Sequence, residues 1–222
     1  MDFESAAHGA AKAAFPQVRT YGCFFHLGQA LWKRVQDEGL RLDYTENPDV
    51  RLACKMLLSL AFVRPDRVVE VFLELEQSIE DEVMDLVEPV FQYFERNYIG
   101  RRVGRRQVRR MPEMEIEVWN VRNRTVEGIP RTQNQVEGWH RGIQSMFDGY
   151  RPTIWSFLAG LQREQVLQHG ELVQLRAGGQ GRRISKKYAA VNNRLKNVIE
   201  RSGMEEDVDF LRTIAYNIEV DV

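Results

Sequence analysis

Apolar residues recur at helical spacing along most of this chain. Leu27, Ala30, Leu31 and Val35 predict a helix over residues 26–40 that closes at Gly39. Val50, Ala53, Leu57, Leu58, Leu60 and Ala61 predict a second over 49–62. Arg64-Pro65-Asp66 opens a third, with Val68, Val69, Phe72, Leu73 and Leu75 inside. A fourth, over 80–98, carries Val83, Leu86, Val87, Val90, Phe91 and Phe94, and Pro89 should kink or split it. Val136, Trp139, Ile143 and Phe147 form one stripe of a helix whose start is signalled by Thr132 or Asn134. Tyr150-Arg151-Pro152-Thr153 leads into a long helix filled by Ile154, Trp155, Phe157, Leu158, Leu161, Val166 and Leu167, expected to close over the preceding one. Residues 186–201 and 207–218 read as a terminal helical pair.

Strand signals are few. Val18 to Phe25 is β-branched and aromatic, the profile of a buried strand. Met114 to Arg122 alternates weakly around Ile116, Val118 and Val121, as a short strand or an extended lead-in. Trp119 lies in it, suited to a core or to stacking on a base. The Ala-rich segment 3–15 ends at Pro16, Gly128-Ile129-Pro130 marks a turn, and residues 176–183 make a flexible basic linker without the order of a phosphate-cradling loop. The expectation is a mainly α fold with one or two short strands.

Composition changes this picture little. An apolar content of 43% in 222 residues suffices for a core, and a net charge of −1 gives no global attraction to nucleic acid. The charge is segregated, however: residues 70–88 are acidic, while 101–110 carry six arginines, Arg101, Arg102, Arg105, Arg106, Arg109 and Arg110. Guanidinium forks in such a run can grip phosphate oxygens and release counterions; a solvated loop, or a partner for the acidic surface, accounts for them equally well. Only Cys23 and Cys54 occur, so a disulfide framework is excluded and a reducing compartment, cytosolic or nuclear, is expected. No membrane span or secretory signal is read, and no membrane partner is expected.

Three motifs bear on chemistry. Asp2 stands just before the first helix. Cys23 and His26 have the spacing of half a zinc site, for which His140 and Cys54 are candidate completers at unconvincing spacing; a metal-free structural role is the competing reading. Glu137 opens Glu137-Gly138-Trp139-His140-Arg141, one residue round from the apolar stripe, where a carboxylate can reach a cleft rim or simply be solvated. His140, three residues on, can orient that glutamate or touch a phosphate, and Trp139 and Arg141 are candidate DNA contacts.

An aspartate before a helix, a β-like run ending Cys-x-x-His and a distant Glu-Gly-Trp-His-Arg together resemble the Mutator-like (MULE) transposases of the DDE superfamily, from Asp2 to about Gln165. The resemblance implies a truncated ribonuclease-H-like core with an all-helical insertion and a helical tail. It divides the chain into a core remnant (1–44), the insertion (45–112), a core return with the glutamate helix (113–170) and a basic linker with C-terminal helices (171–222). It also implies DNA as partner, a nuclear location, and Mg (or Mn) held by Asp2 and Glu137 as the family's second aspartate and its glutamate. The first aspartate and its strands have no counterpart, so DNA strand cleavage and transfer by this chain alone is not expected. The alternative is a non-catalytic helical module that binds protein or DNA.

Overall fold

The computed structural model describes residues 5–103, 108–132, 134–147, 152–179, 186–202 and 207–218. It divides into two compact units, one of residues 1–132 with 190–222 and one of residues 133–189.

The first unit is built round a largely buried helix. This helix, Pro48–Ser59, buries Val50, Ala53, Cys54, Met56, Leu57, Leu58 and Ser59 and runs into a fully buried 3-10 turn, Leu60–Phe62. A helix with so wide an apolar side, leaving only Pro48, Asp49, Arg51, Leu52 and Lys55 at least partly exposed, must be packed by several others. Its start is fixed locally: Asn47 Oδ1 accepts from the amides of Asp49 (2.9 Å) and Val50 (3.4 Å), and Pro48 at the first turn has no amide to leave unpaired.

In chain order the helices are α1 (Ser5–Ala14), α2 (Phe24–Asp37), α3 (Arg41–Glu46), α4 (Pro48–Ser59), α5 (Val68–Ser78), α6 (Asp81–Phe94), α7 (Ile116–Trp119), α8 (Arg122–Val126), α9 (Asn134–Gln144), α10 (Ile154–Arg176), α11 (Lys186–Ser202) and α12 (Val208–Asn217). Around α4 pack α2 through Leu27, Leu31 and Val35, α6 through Val87, Val90, Phe91 and Phe94, and α12 through Phe210, Leu211 and Ile214. Each such side chain contributes about 1.5–3 kcal/mol by leaving water. Asp207 caps α12 by accepting from the Phe210 amide at 2.9 Å, and Leu195 and Ile199 of α11 join the same core.

Two expectations are corrected. No strand forms at 18–25: the extended segment ends at Cys23, and Phe24, Phe25 and His26 already belong to α2. The cause is tertiary, since Phe24 stacks edge-on against Phe62 (5.2 Å between ring centres) while the chain before it has no neighbouring strand among the described residues. Likewise 114–122 is not a strand. Trp119 and Val121 are wholly buried, and the short helices α7 and α8 flank Asn120, whose side-chain amide donates to the Val63 carbonyl at 2.7 Å. Pro89 does not split α6, which continues through it to Phe94 and a π-helical turn, Glu95–Ile99. Among the described residues the strands are β1 (Arg102–Val103) and β2 (Val108–Arg109), a two-residue antiparallel pair with Arg102 opposite Arg109. The mainly α expectation holds.

The mouth of that hairpin requires glycine. Gly100 has φ +94°, and a Cβ there would lie 2.0 Å from the Arg110 carbonyl oxygen. The second unit contains α9 and α10, which pack together; Thr153 caps α10 by accepting from the Ser156 amide at 3.2 Å.

Candidate functional site

The Cys-x-x-His segment and the lead-in to α9, about a hundred residues apart in sequence, are joined by their backbones. The Gly22 amide donates to the Val118 carbonyl (2.7 Å) and the Phe24 amide to the Arg131 carbonyl (2.9 Å). Arg124 Nη2 donates to the Gly22 carbonyl at 2.9 Å. The chain therefore leaves this seam at Phe24, builds α2 to α6, and returns to it at Val118–Arg131.

Two arginines hold the seam. Arg124 is 5% exposed and lies over the Tyr21 ring, and its burial lowers the guanidinium pKa from its usual value. Arg131 is 7% exposed, donates to Asn192 Oδ1 of α11 at 2.7 Å and stacks over Phe62. Neither was singled out by sequence reasoning. A short arginine-bearing stretch among turns carries no periodic signal, and only the packing reveals what these residues join.

The expected site residues are distributed as follows. Asp2 lies outside the described residues, and of Glu137 only the helix backbone is described, in α9. Cys23 is buried, at the residue preceding α2, and His26 is half-buried one turn on. Cys54 is buried in α4, beside a small crevice lined by Gly28, Leu31, Trp32 and Tyr44, and burial pushes its thiol pKa up to about 12. No group of three or more His, Cys, Asp or Glu side chains placed to hold a metal occurs among the described residues.

On α9, Trp139 is tied down while its neighbours face out. Its indole N–H donates to Glu164 Oε1 of α10 at 2.7 Å, and Gln168 Nε2 donates to the same oxygen at 2.7 Å. Glu164 is 9% exposed, a buried carboxylate that sequence reasoning missed because α10 carries apolar residues on every side. His140 and Arg141 are exposed, the imidazole 5.1 Å from the Trp139 ring centre. Of the expected stripe, Ile143 is buried and Phe147 half-buried, whereas Trp139 is 39% exposed and the Val136 side chain lies outside the described residues.

The basic run splits in two. Arg109 turns inward: its Nη1 donates to Glu95 Oε1 (2.6 Å) and to the Gly100 carbonyl, and the guanidinium lies over Phe72. Arg109 and Arg102 both act electrostatically on Glu76 of α5. Arg101, Arg102 and Arg110 are exposed to solvent, whereas Arg105 and Arg106 lie outside the described residues.

No protein-family model, curated protein or solved structure matches the chain. No described helix is long and apolar enough to cross a membrane.

Proposed function

We propose that the chain is the C-terminal part of a Mutator-like DDE transposase catalytic region, able to contact DNA but not to cut it unaided. The observation that carries this reading is the seam. An insertion into a core must leave and re-enter at neighbouring points, and the Gly22–Val118 and Phe24–Arg131 hydrogen bonds bring together the two chain segments that flank the 45–112 insertion. The chain then proceeds directly into α9, the helix bearing Glu137.

In such a site carboxylates hold two Mg²⁺ ions about 3.5–4 Å apart, which activate the attacking oxygen and stabilise the leaving one. Mg²⁺ demands oxygen donors in near-octahedral array. Asp2 and Glu137 would supply two of the three carboxylates, and the third has no counterpart in the 222 residues. Trp139, held by Glu164, would fix the rotation of α9, the helix that bears Glu137. Arg101, Arg102 and Arg110 would meet phosphates.

Two measurements test the reading. Retention of duplex DNA should fall steeply with salt, and Arg101→Gln, Arg102→Gln and Arg110→Gln together should flatten that slope by about three phosphate contacts. Binding that ignores both salt and these substitutions would remove the nucleic-acid role. Mg²⁺-dependent nicking by this chain, abolished by Glu137→Gln, would show that two carboxylates suffice and that the inactivity is misjudged. A second reading, a helical interaction module without chemistry, draws on the bare apolar side chains of α10. Under its protein-binding form, DNA retention is absent while protein binding persists; under its DNA-binding form, retention persists without Mg²⁺-dependent nicking.

A further inference from the structure

The β1–β2 hairpin sets arginine against arginine twice. Arg102 stands opposite Arg109, and the Arg110 amide donates to the Arg101 carbonyl at 2.8 Å, which carries the register one pair further. Like charges directly opposite one another destabilise a ladder. Successive residues of a strand face opposite sides, so the two pairs lie on opposite faces of the hairpin. Arg102 and Arg109 share the face toward α5, and Arg101 and Arg110 share the outer one.

The protein's own acids balance the inner face. Arg109 Nη1 donates to Glu95 Oε1 at 2.6 Å and to the Gly100 carbonyl, and both ends of this ion pair are mostly buried. Arg102, exposed at the rim, acts together with Arg109 on Glu76 of α5. The outer face has no such balance. Arg101 and Arg110 are exposed, and neither forms an ion pair among the described residues. Their mounting is nevertheless fixed. The Gly100 amide donates to the Glu95 carbonyl at 2.6 Å and the Met114 amide to the Asn97 carbonyl at 3.0 Å, so both legs of the hairpin are tied to the π-helical turn Glu95–Ile99.

Two like charges held side by side at a fixed spacing attract an anion that can bridge them. A carboxylate offers two oxygens, which one guanidinium fork already fills; two adjacent forks call for the larger set of oxygens on phosphate groups. We propose that Arg101 and Arg110 form a clamp for phosphate groups, and that Glu95, acting through Arg109, positions it. The assignment of those phosphates to a polynucleotide backbone rests on the DNA-contact reading; a free polyphosphate would present the same chemistry.

The positioning role has a sign that plain electrostatics does not share. Removing Glu95 takes a negative charge away from a basic hairpin, which by charge alone strengthens the hold on a polyanion. Loss of the anchor weakens it instead, because the two forks no longer keep their spacing.

Titration of the full chain with a DNA duplex and with inorganic tripolyphosphate, over a range of salt, tests both parts. Both arginines are exposed, so Arg101→Gln and Arg110→Gln should fold with unchanged far-ultraviolet circular dichroism. Each should weaken binding roughly tenfold and lower the salt slope for DNA by about 1. Glu95→Ala should bind more weakly than the wild type, whereas Glu95→Gln, which keeps an acceptor for Arg109, should bind at least as tightly as the wild type. Tripolyphosphate held by the clamp without retention of DNA keeps the site and removes the DNA reading. DNA retained equally by the wild type and both arginine variants overturns the clamp and leaves the DNA reading standing; failure to bind either probe overturns both. A folded Glu95→Ala protein that binds as well as the wild type, or better, overturns the positioning role.

Discussion

Glu76 illustrates how a single residue can work against the fold that holds it. Half-burial in α5 raises its carboxyl pKa above the usual range, the nearby charge of Glu95 adds to the rise, and Arg102 and Arg109 only partly oppose it. A carboxyl with a raised folded-state pKa takes up its proton in the folded state before the unfolded one does. Its unfavourable contribution is therefore complete at neutral pH and vanishes as pH falls below the ordinary glutamate value of about 4. Glu76→Gln should raise the melting temperature at pH 7 and leave it nearly unchanged at about pH 4; an equal effect at both would contradict this account. Such behaviour was not legible in the sequence, where Glu76 is one acid among many in 70–88. Trp119 was legible as a core candidate, and its indole N–H donating to the Tyr98 carbonyl at 3.1 Å is what permits full burial.

Among elements, the helices were readable wherever one apolar stripe repeats, as in α2, α4, α6 and α12. The extended segments were not. Val18–Phe25 and Met114–Arg122 have strand-like composition, but strand pairing is decided by neighbours rather than by propensity. Here each becomes one side of the seam between Gly22 and Val118, with helix on its far side. The pairing of α9 with α10 makes a further test possible. A Cβ on Gly160 would come within 2.5 Å of the half-buried Phe147 ring. Replacing a helical glycine by alanine ordinarily gains about 1 kcal/mol, whereas overpacking a fitted contact costs about 1–3 kcal/mol. Gly160→Ala should therefore lower stability by roughly 1 kcal/mol in denaturant unfolding despite the better helix former. A gain of similar size would mean that Phe147 moves aside freely. The Arg109–Glu95 pair is open to the same kind of weighing. It is mostly buried at both ends and joined at 2.6 Å, so a double-mutant cycle should return a coupling of about 1–3 kcal/mol, well above that of an exposed pair.

For the molecule as a whole, the telling fact is that α12 packs on α4 although some 150 residues separate them. Nothing in the terminal stretch announces this beyond an amphipathic stripe and a capping aspartate, because a helix pattern does not name its partner. Leu211, wholly buried, makes the dependence measurable: Leu211→Ala should cost about 3 kcal/mol, and a loss below about 1 kcal/mol would mean that α12 is a dispensable tail. Of the motif residues, Cys23 is buried at the start of α2, and Trp139 and Ile143 sit on α9, Trp139 hydrogen-bonded to Glu164 of α10. The buried polar side chains Arg124 and Arg131 in the first unit and Glu164 in the second became visible only through packing.

The placement of α12 has a consequence during synthesis. Residues emerge from the ribosome in order, so α4 is threaded into the cell long before the helix that must cover it exists. Until translation reaches residue 218, the greasy flank of α4 awaiting Phe210, Leu211 and Ile214 stays open to whatever else will bind it, which makes the nascent chain a natural client for chaperones.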